Sequence, residues 1–133
     1  MIKYEYLKEF EGNSGITSEK LSFLKLPERL PEDYIELLKQ FNGGEGEVGE
    51  EYLVLHKADE LIEINKDIEI AKFDKNIFVI GSNGGGEFVA IDFRNEKPIY
   101  ILIPFIFEYD AIIELGSNID ELFERIYTVG FFE

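Results

Sequence analysis

One stretch of the sequence matches a phosphate-binding pattern, and its surroundings argue against that chemistry. Gly44 to Gly49 fits GxGxxG literally, the turn that cradles a pyrophosphate when it joins a strand to a helix. Here the stretch follows a predicted helix and opens no helix, and Glu45 and Glu47 within it would repel a phosphate. The stretch therefore favours an acidic loop that contacts a partner over a nucleotide site.

A second glycine-rich stretch, from Ser82 to Gly86, has two possible roles. Its consecutive backbone N–H groups could form an anion-binding nest. However, it lacks the lysine and the following helix of a P-loop, whereas Asn83-Gly84 between two apolar runs is a strong hairpin signal. We therefore predict a tight turn between two strands, with anion binding as the weaker alternative.

Residues that catalyse reactions or bind metals are sparse. The chain has no cysteine and one histidine, His56, so zinc sites of the usual kind, thiolate chemistry and a catalytic triad are not supported. His56 is expected at the surface or at a strand end. Three acidic pairs could bind hard cations or act in acid–base catalysis, but they lack calcium-loop spacing and are expected on solvated faces: Glu50–Glu51, Glu108 with Asp110, and Asp120–Glu121. We predict no catalytic residue, metal site or cofactor.

The charge balance is the strongest global signal. The 133 residues include 28 acids and 13 bases, for a formal net charge of −15. Direct binding to nucleic acid or to an anionic membrane is not expected, because both need a basic surface on the protein. A basic protein would instead be attracted and steered. Solubility alone is the simpler interpretation of the same charge.

Length and hydropathy predict one domain over residues 1–133. Apolar residues make up 45% of the chain, which suffices for a sizeable core. The first ten residues carry charges throughout and lack the apolar region of a signal peptide. The longest apolar run, residues 99–107, is too short to cross a bilayer and contains Pro104. A cytoplasmic protein is the default expectation.

The elements that would position these residues begin with helices. Apolar spacing predicts an amphipathic helix over residues 2–11 and a second, short helix capped by Thr17 or Ser18. A third helix is predicted from Pro31 to Phe41, with Asn42-Gly43-Gly44 as its left-handed C-terminal cap.

The predicted strands lie mostly in the second half of the chain. An acidic loop over residues 43–51 precedes a short strand over 52–55 and a helix over 58–68. A hairpin over 77–93 is predicted to lie centrally in the sheet. The remaining elements are a strand over 99–103, a weak strand over 111–115 and a last helix after a capping box at 117–120. Helices packed around a central antiparallel sheet make an α+β fold.

Two blocks of this sequence resemble the SUKH superfamily. The first block joins Leu30-Pro31-Glu32-Asp33-Tyr34, Leu37-Leu38 and Asn42-Gly43-Gly44, and it is similar to the family's LPxDY…NGG opening. The second block, from Phe78 to Glu87, is similar to the family's F-x-I-G-x-x-G-G-G-E segment. Each motif alone is modest, and their order and spacing carry the resemblance.

Two later segments fall in matching order, the strand at Pro98-Ile99-Tyr100 and the helix at Ile119–Phe123, so the resemblance covers about residues 16–128. It implies a SUKH-like single α+β domain without an established catalytic site. Bacterial members are viewed as immunity proteins that neutralise toxins, often nucleases, and fungal relatives as regulatory proteins of cell-wall synthesis. Many members carry a tryptophan after the NGG region and this chain has none, so partner contacts do not transfer residue by residue.

Resemblance and charge together predict a non-enzymatic immunity protein, or antitoxin, that binds a cognate toxin, a basic nuclease. The contact candidates are acids of the predicted loop and a second group after the 99–103 strand: Glu45, Glu47, Glu50, Glu51, Glu108, Tyr109 and Asp110. A regulatory scaffold domain that binds a cellular protein is the first alternative. A small-ligand binder or enzyme that uses the glycine hairpin or clustered carboxylates is the second.

Overall fold

The computed structural model describes residues 4–132, which form seven strands and five α-helices. The strands are β1 (Phe10–Ser14), β2 (Phe41–Val48), β3 (Glu51–Leu55), β4 (Ile77–Ser82), β5 (Glu87–Asp92), β6 (Ile99–Pro104) and β7 (Ile113–Gly116). The α-helices are α1 (Ser18–Phe23), α2 (Glu32–Gln40), α3 (Leu61–Ile68), α4 (Ile70–Phe73) and α5 (Ile119–Thr128), and short 3-10 helices cover Tyr4–Leu7, Ala58–Glu60 and Tyr109–Ala111. None of the helices in this part of the chain has the length and apolar character needed to span a membrane.

The strands form one antiparallel sheet in the order of the sequence, from β1 to β7. Each inner strand pairs with the strands before and after it in the chain, so no long crossover is needed. The hairpin of β4 and β5 lies at the centre, as predicted. The arrangement confirms an α+β fold with a central antiparallel sheet and helices packed around it.

One face of the sheet is covered by helices and holds the larger core. Helix α5 begins one residue later than the predicted capping box at 117–120. The Asn118 side chain accepts from the Glu121 N–H at 2.8 Å, and the Glu121 carboxylate accepts from the Ser117 N–H at 2.9 Å. The core gathers α2, α5 and inward side chains of the strands: Tyr34, Leu37, Leu38, Leu122, Phe123, Ile126, Leu53, Ile80, Val89, Ile91 and Leu102. Each fully buried aliphatic or aromatic side chain there stabilises the fold by roughly 1.5–3 kcal/mol.

The opposite face of the sheet is covered only in part. A smaller core packs α4 and the β6–β7 connection against β4, β5 and β6, and its buried members are Ile70, Ile77, Val79, Ala90, Ile101 and Ile103. The Phe73 and Phe107 rings complete this cover, with centroids 5.4 Å apart. Strands β1, β2 and β3 contribute no residue to this core, so their side of the face remains open to solvent.

The predicted helix over residues 2–11 is wrong from Lys8 onwards. Its first residues, including Ile2, lie outside the described part of the chain, and a 3-10 helix occupies Tyr4–Leu7. Leu7 and Phe10 are both buried, as their spacing requires, but Phe10 begins β1 and pairs with Gly46 of β2. A spacing of three is met equally by a helical turn or by a turn that leads into a strand, and tertiary pairing decides between them.

The predicted glycine cap and acidic loop after α2 are also wrong. Phe41 already has an extended backbone, with φ −134°, and the chain enters β2 without a left-handed cap. The glycines of the GxGxxG match instead allow a close approach of β1. A Cβ atom on Gly44 or Gly46 would lie 2.5 Å from a backbone oxygen of Glu11 or Glu9. The predicted loop is therefore a strand whose glycines serve sheet pairing.

Strands β3 and β4 pair over two residues only, Val54 with Ser82 and Leu55 with Gly81. Beyond this point the edge of β4 meets α3 instead of a strand. The Asn65 side-chain oxygen accepts from the Val79 N–H at 2.7 Å, and its NH2 group donates to the Val79 carbonyl at 2.8 Å. One amide side chain thus takes the place of a strand residue.

Candidate partner-binding surface

The open side of β1, β2 and β3 gathers acidic side chains. Because strand side chains alternate, Val48 points into the core while Glu45 and Glu47 point away from it. The antiparallel register places Glu11 of β1 opposite Glu45, and Tyr52 of β3 opposite Glu47. All four of these outward side chains are exposed. We call Glu11, Glu45, Glu47 and Tyr52 the acidic face.

Tyr52 lies at the β3 side of the acidic face. Its hydroxyl donates a hydrogen bond to the Glu45 carboxylate, and this bond together with the nearby negative charges, those of Glu11 and Glu47 included, raises the pKa of the Tyr52 hydroxyl. Its ring lies beside the β4–β5 turn, since a Cβ atom added to Gly84 would lie 3.2 Å from a ring carbon. An exposed aromatic ring beside carboxylates is a suitable contact surface for a basic protein.

The glutamates of the acidic face form no ion pair with a lysine or arginine of the described part of the chain. The described ion pairs of lysine and arginine lie elsewhere and are Glu36–Lys39, Glu69–Lys72 and Asp92–Arg94. An open groove of about 470 Å³ continues the surface past Glu11 and Glu45 towards Lys57 and Glu60. The negative charge of this face is therefore available to a partner.

The structure places the other predicted acids of this region differently. Glu50 is exposed in the turn between β2 and β3. Glu51 begins β3, and its carboxylate accepts a hydrogen bond from the Phe131 N–H at 3.1 Å. Glu51 thus holds the C-terminal segment against the sheet. Of the four glutamates predicted in this stretch, only Glu45 and Glu47 belong to the acidic face.

The second predicted group, Glu108, Tyr109 and Asp110, lies in the connection from β6 to β7. The Tyr109 hydroxyl donates to the Asp74 carboxylate at 2.8 Å, and the Tyr109 and Phe73 ring centroids are 4.4 Å apart. Three strands separate β2 from β6, which at about 4.8 Å per strand spacing is a distance of about 19 Å. Apart from the half-buried Glu51, the residues of both predicted groups are exposed, and the two groups do not form one cluster.

The glycine stretch between β4 and β5 closes a hairpin, as predicted, through four connecting residues, 83–86. The Asn83 side-chain oxygen accepts from the N–H groups of Gly85 at 2.9 Å and Glu87 at 3.2 Å. The Ser82 hydroxyl accepts from the Gly84 N–H at 3.2 Å. These N–H groups already have acceptors from their own turn, which disfavours the anion-binding alternative.

His56 directly follows β3, in agreement with a strand-end position, and its N–H donates to the Ile80 carbonyl at 2.9 Å. Partial burial lowers the pKa of its imidazole, and the charge of Glu60 opposes this shift. Between residues 4 and 132, histidine, aspartate and glutamate side chains form no group of three or more that is arranged to hold a metal ion.

Sequence reasoning missed two members of the acidic face. Glu11 falls in the wrongly predicted helix, and only the pairing of β1 with β2 brings it to Glu45. Tyr52 carried a usable signal, because strand alternation from the apolar Leu53 and Leu55 places it on the outer side.

A model of the SMI1 / KNR4 family (SUKH-1) matches residues 4–125. This segment includes all seven strands and the acidic face. No curated protein sequence matches the chain.

Proposed function

Because this chain belongs to the SMI1/KNR4 family (SUKH-1), we propose that it is an immunity protein, a non-enzymatic binder that neutralises a cognate basic nuclease toxin. The observation that carries the proposal is the acidic face, where three exposed glutamates lie near Tyr52 without a described ion-pair partner. The net charge of −15 and the immunity role viewed as general for bacterial members of this family support the same conclusion.

The acidic face carries a cost to folding that a basic partner would relieve. Glu11 and Glu45 are directly opposite on neighbouring strands. Like charges in this position destabilise a sheet, by roughly 0.2–1 kcal/mol for a cross-strand pair. A lysine or arginine from a partner would replace this repulsion with attraction. Surfaces that sacrifice stability in this way are typical of binding sites.

Neutralisation by this surface requires no chemical step. A nuclease holds nucleic acid through basic side chains that contact phosphates. An acidic surface is attracted to the same basic cleft, and once seated there it excludes the substrate. The attraction acts mainly on the association rate, and salt screens it.

The test is a pull-down from the native host at low and high salt, followed by association kinetics. Two variants with equal net charge are compared with the wild type. The face variant changes Glu11→Lys, Glu45→Lys and Glu47→Lys, and the control variant changes three exposed glutamates outside the acidic face, Glu19→Lys, Glu28→Lys and Glu124→Lys. We expect the wild type and the control to recover one basic nuclease at low salt, and the face variant to associate about tenfold or more slowly.

Two outcomes would contradict this proposal. Equal association rates for both variants would remove the acidic face as the binding surface. Recovery of cell-wall or secretion proteins in place of a nuclease would favour the regulatory scaffold that the family's fungal members suggest.

A further inference from the structure

The two edges of the sheet are protected to different degrees. At the β7 edge, α5 packs beside the strand and the Arg125 guanidinium donates to the Glu114 carbonyl at 3.2 Å. At the β1 edge, no further strand within residues 4–132 pairs with the chain. Four of the five β1 residues are exposed, from Glu11 to Ser14. An open edge presents unpaired N–H and C=O groups that can pair with another chain.

Strand β1 is protected by its short length and its register shift, but not by side chains that block pairing. It contains no proline and no lysine, and its one charged residue is Glu11. The pairing with β2 shifts register between Gly12 and Ser14, so the regular part of the edge runs from Phe10 to Gly12. The Asn13 side chain donates to the Asn42 carbonyl at 3.2 Å, on the β2 side. The open edge is therefore short and directly adjoins the acidic face.

Charge decides which chain suits this edge. A second copy of β1 would bring another Glu11 towards the one that already faces Glu45, and like charges would oppose the pairing. A basic segment would have the opposite effect. We infer that the open edge of β1 accepts an extended basic segment of a partner protein as an additional strand. This inference rests on the proposed function for the partner's basic character and adds the manner of binding.

Strand geometry then predicts the pattern of the partner segment. A residue opposite Glu11 on the added strand shares the face that carries Glu45 and Glu47. Its neighbours two positions away share that face as well. Lysine or arginine at every second position therefore extends over the acidic face, while main-chain hydrogen bonds to β1 hold the segment in place.

The test uses synthetic peptides and the intact protein, without the toxin. The probe is a capped peptide in which lysine alternates with threonine or valine. Its control has the same sequence with N-methyl groups on two adjacent central residues, which blocks both edges of the peptide and keeps its charge. Affinity is measured by titration, and hydrogen exchange is followed at the β1 amides. We expect the unmodified peptide to bind at least tenfold more tightly and to slow exchange between Phe10 and Gly12.

Equal affinity of the two peptides would show binding by surface charge alone and would overturn the inference. Binding without slower exchange in β1, or no binding by either peptide, would overturn it too. The pull-down described above is independent of these results. A toxin recovered alongside a negative peptide result leaves the proposed function in place and removes only the edge pairing. A positive peptide result without a toxin keeps the edge site and removes the toxin role.

Discussion

Replacing Asn65 should reveal how much stability one side chain supplies in place of a missing strand. Its amide makes two hydrogen bonds to the backbone N–H and C=O groups of Val79, a fully buried residue, and a third to the Leu61 carbonyl at 2.9 Å. Asn65→Leu keeps a similar volume and removes these bonds. The Val79 N–H and C=O groups then lose their partners at an edge that no strand covers.

The expected loss follows from the two orphaned backbone groups. Each buried unsatisfied donor or acceptor costs about 1–3 kcal/mol, and because Asn65 is only half-buried we expect a total of about 2–4 kcal/mol. For a chain of this size, each kcal/mol lowers the melting temperature by about 3–5 °C. Part of the loss could be offset by apolar contacts of leucine, so Asn65→Ala should destabilise at least as much.

The assay is equilibrium unfolding in urea, with hydrogen exchange at Val79 as a local readout. Asn95→Leu, in the exposed turn between β5 and β6, is the matched control and should change the free energy of unfolding by less than about 0.5 kcal/mol. If Asn65→Leu also stays within about 0.5 kcal/mol of the wild type while the Val79 amide keeps its protection, the edge-capping argument is refuted.

Three other substitutions test other contacts of the fold. Arg94→Ala removes the guanidinium that contacts the fully buried Asp92 carboxylate at 2.8–3.0 Å. Because the arginine side chain is 34% exposed, we expect the free energy of unfolding in urea to fall by about 1–3 kcal/mol, and an unchanged value would contradict a stabilising role for this ion pair. Because the pKa of His56 is lowered in the folded chain, the unfolded chain takes up a proton at higher pH, and this group reduces stability as the pH falls below about 6.5. His56→Gln should therefore lose less stability than the wild type between pH 7.5 and 5.5, and parallel curves of stability against pH for the two proteins would contradict this contribution of His56. Gly49→Ala forces a side chain onto a backbone with φ 64° and places its Cβ 2.5 Å from the Tyr127 carbonyl oxygen of α5, so the free energy of unfolding should drop by about 1–3 kcal/mol. The control Gly86→Ala has open space around its Cβ and should melt near the wild-type temperature.

Elements with strong local signals were predictable from the sequence. The hairpin of β4 and β5 combines apolar strand formers with an Asn83-Gly84 turn, and it is central in the sheet. Helix α5 combines a capping box with an apolar stripe of period 3.6, and its inward residues are buried. In both cases the information lies within one continuous stretch of the chain, residues 77–92 for the hairpin and 117–128 for the helix.

The acidic strand β2 was not predictable in the same way. Its glycines and glutamates have low strand propensity, so a loop was the reasonable expectation. The stretch becomes a strand because β1 and β3 pair with it on both sides, and Gly44 and Gly46 admit the β1 backbone. The contribution of those neighbours to the local conformation is larger than the intrinsic preference of the residues.

The sequence by itself determined the chemical character of this protein. The excess of acids, the missing cysteines, the single histidine and the two family-like blocks are properties of the chain and do not depend on its folding. Only the tertiary structure decided where the acidic side chains lie relative to one another and to the edges of the sheet. Strand pairing brings Glu11 opposite Glu45, turns Glu51 towards Phe131, and leaves one sheet edge open beside the acidic face. The physical reason is that register joins residues distant in the chain, and each shift by one residue would move every side chain to the other face.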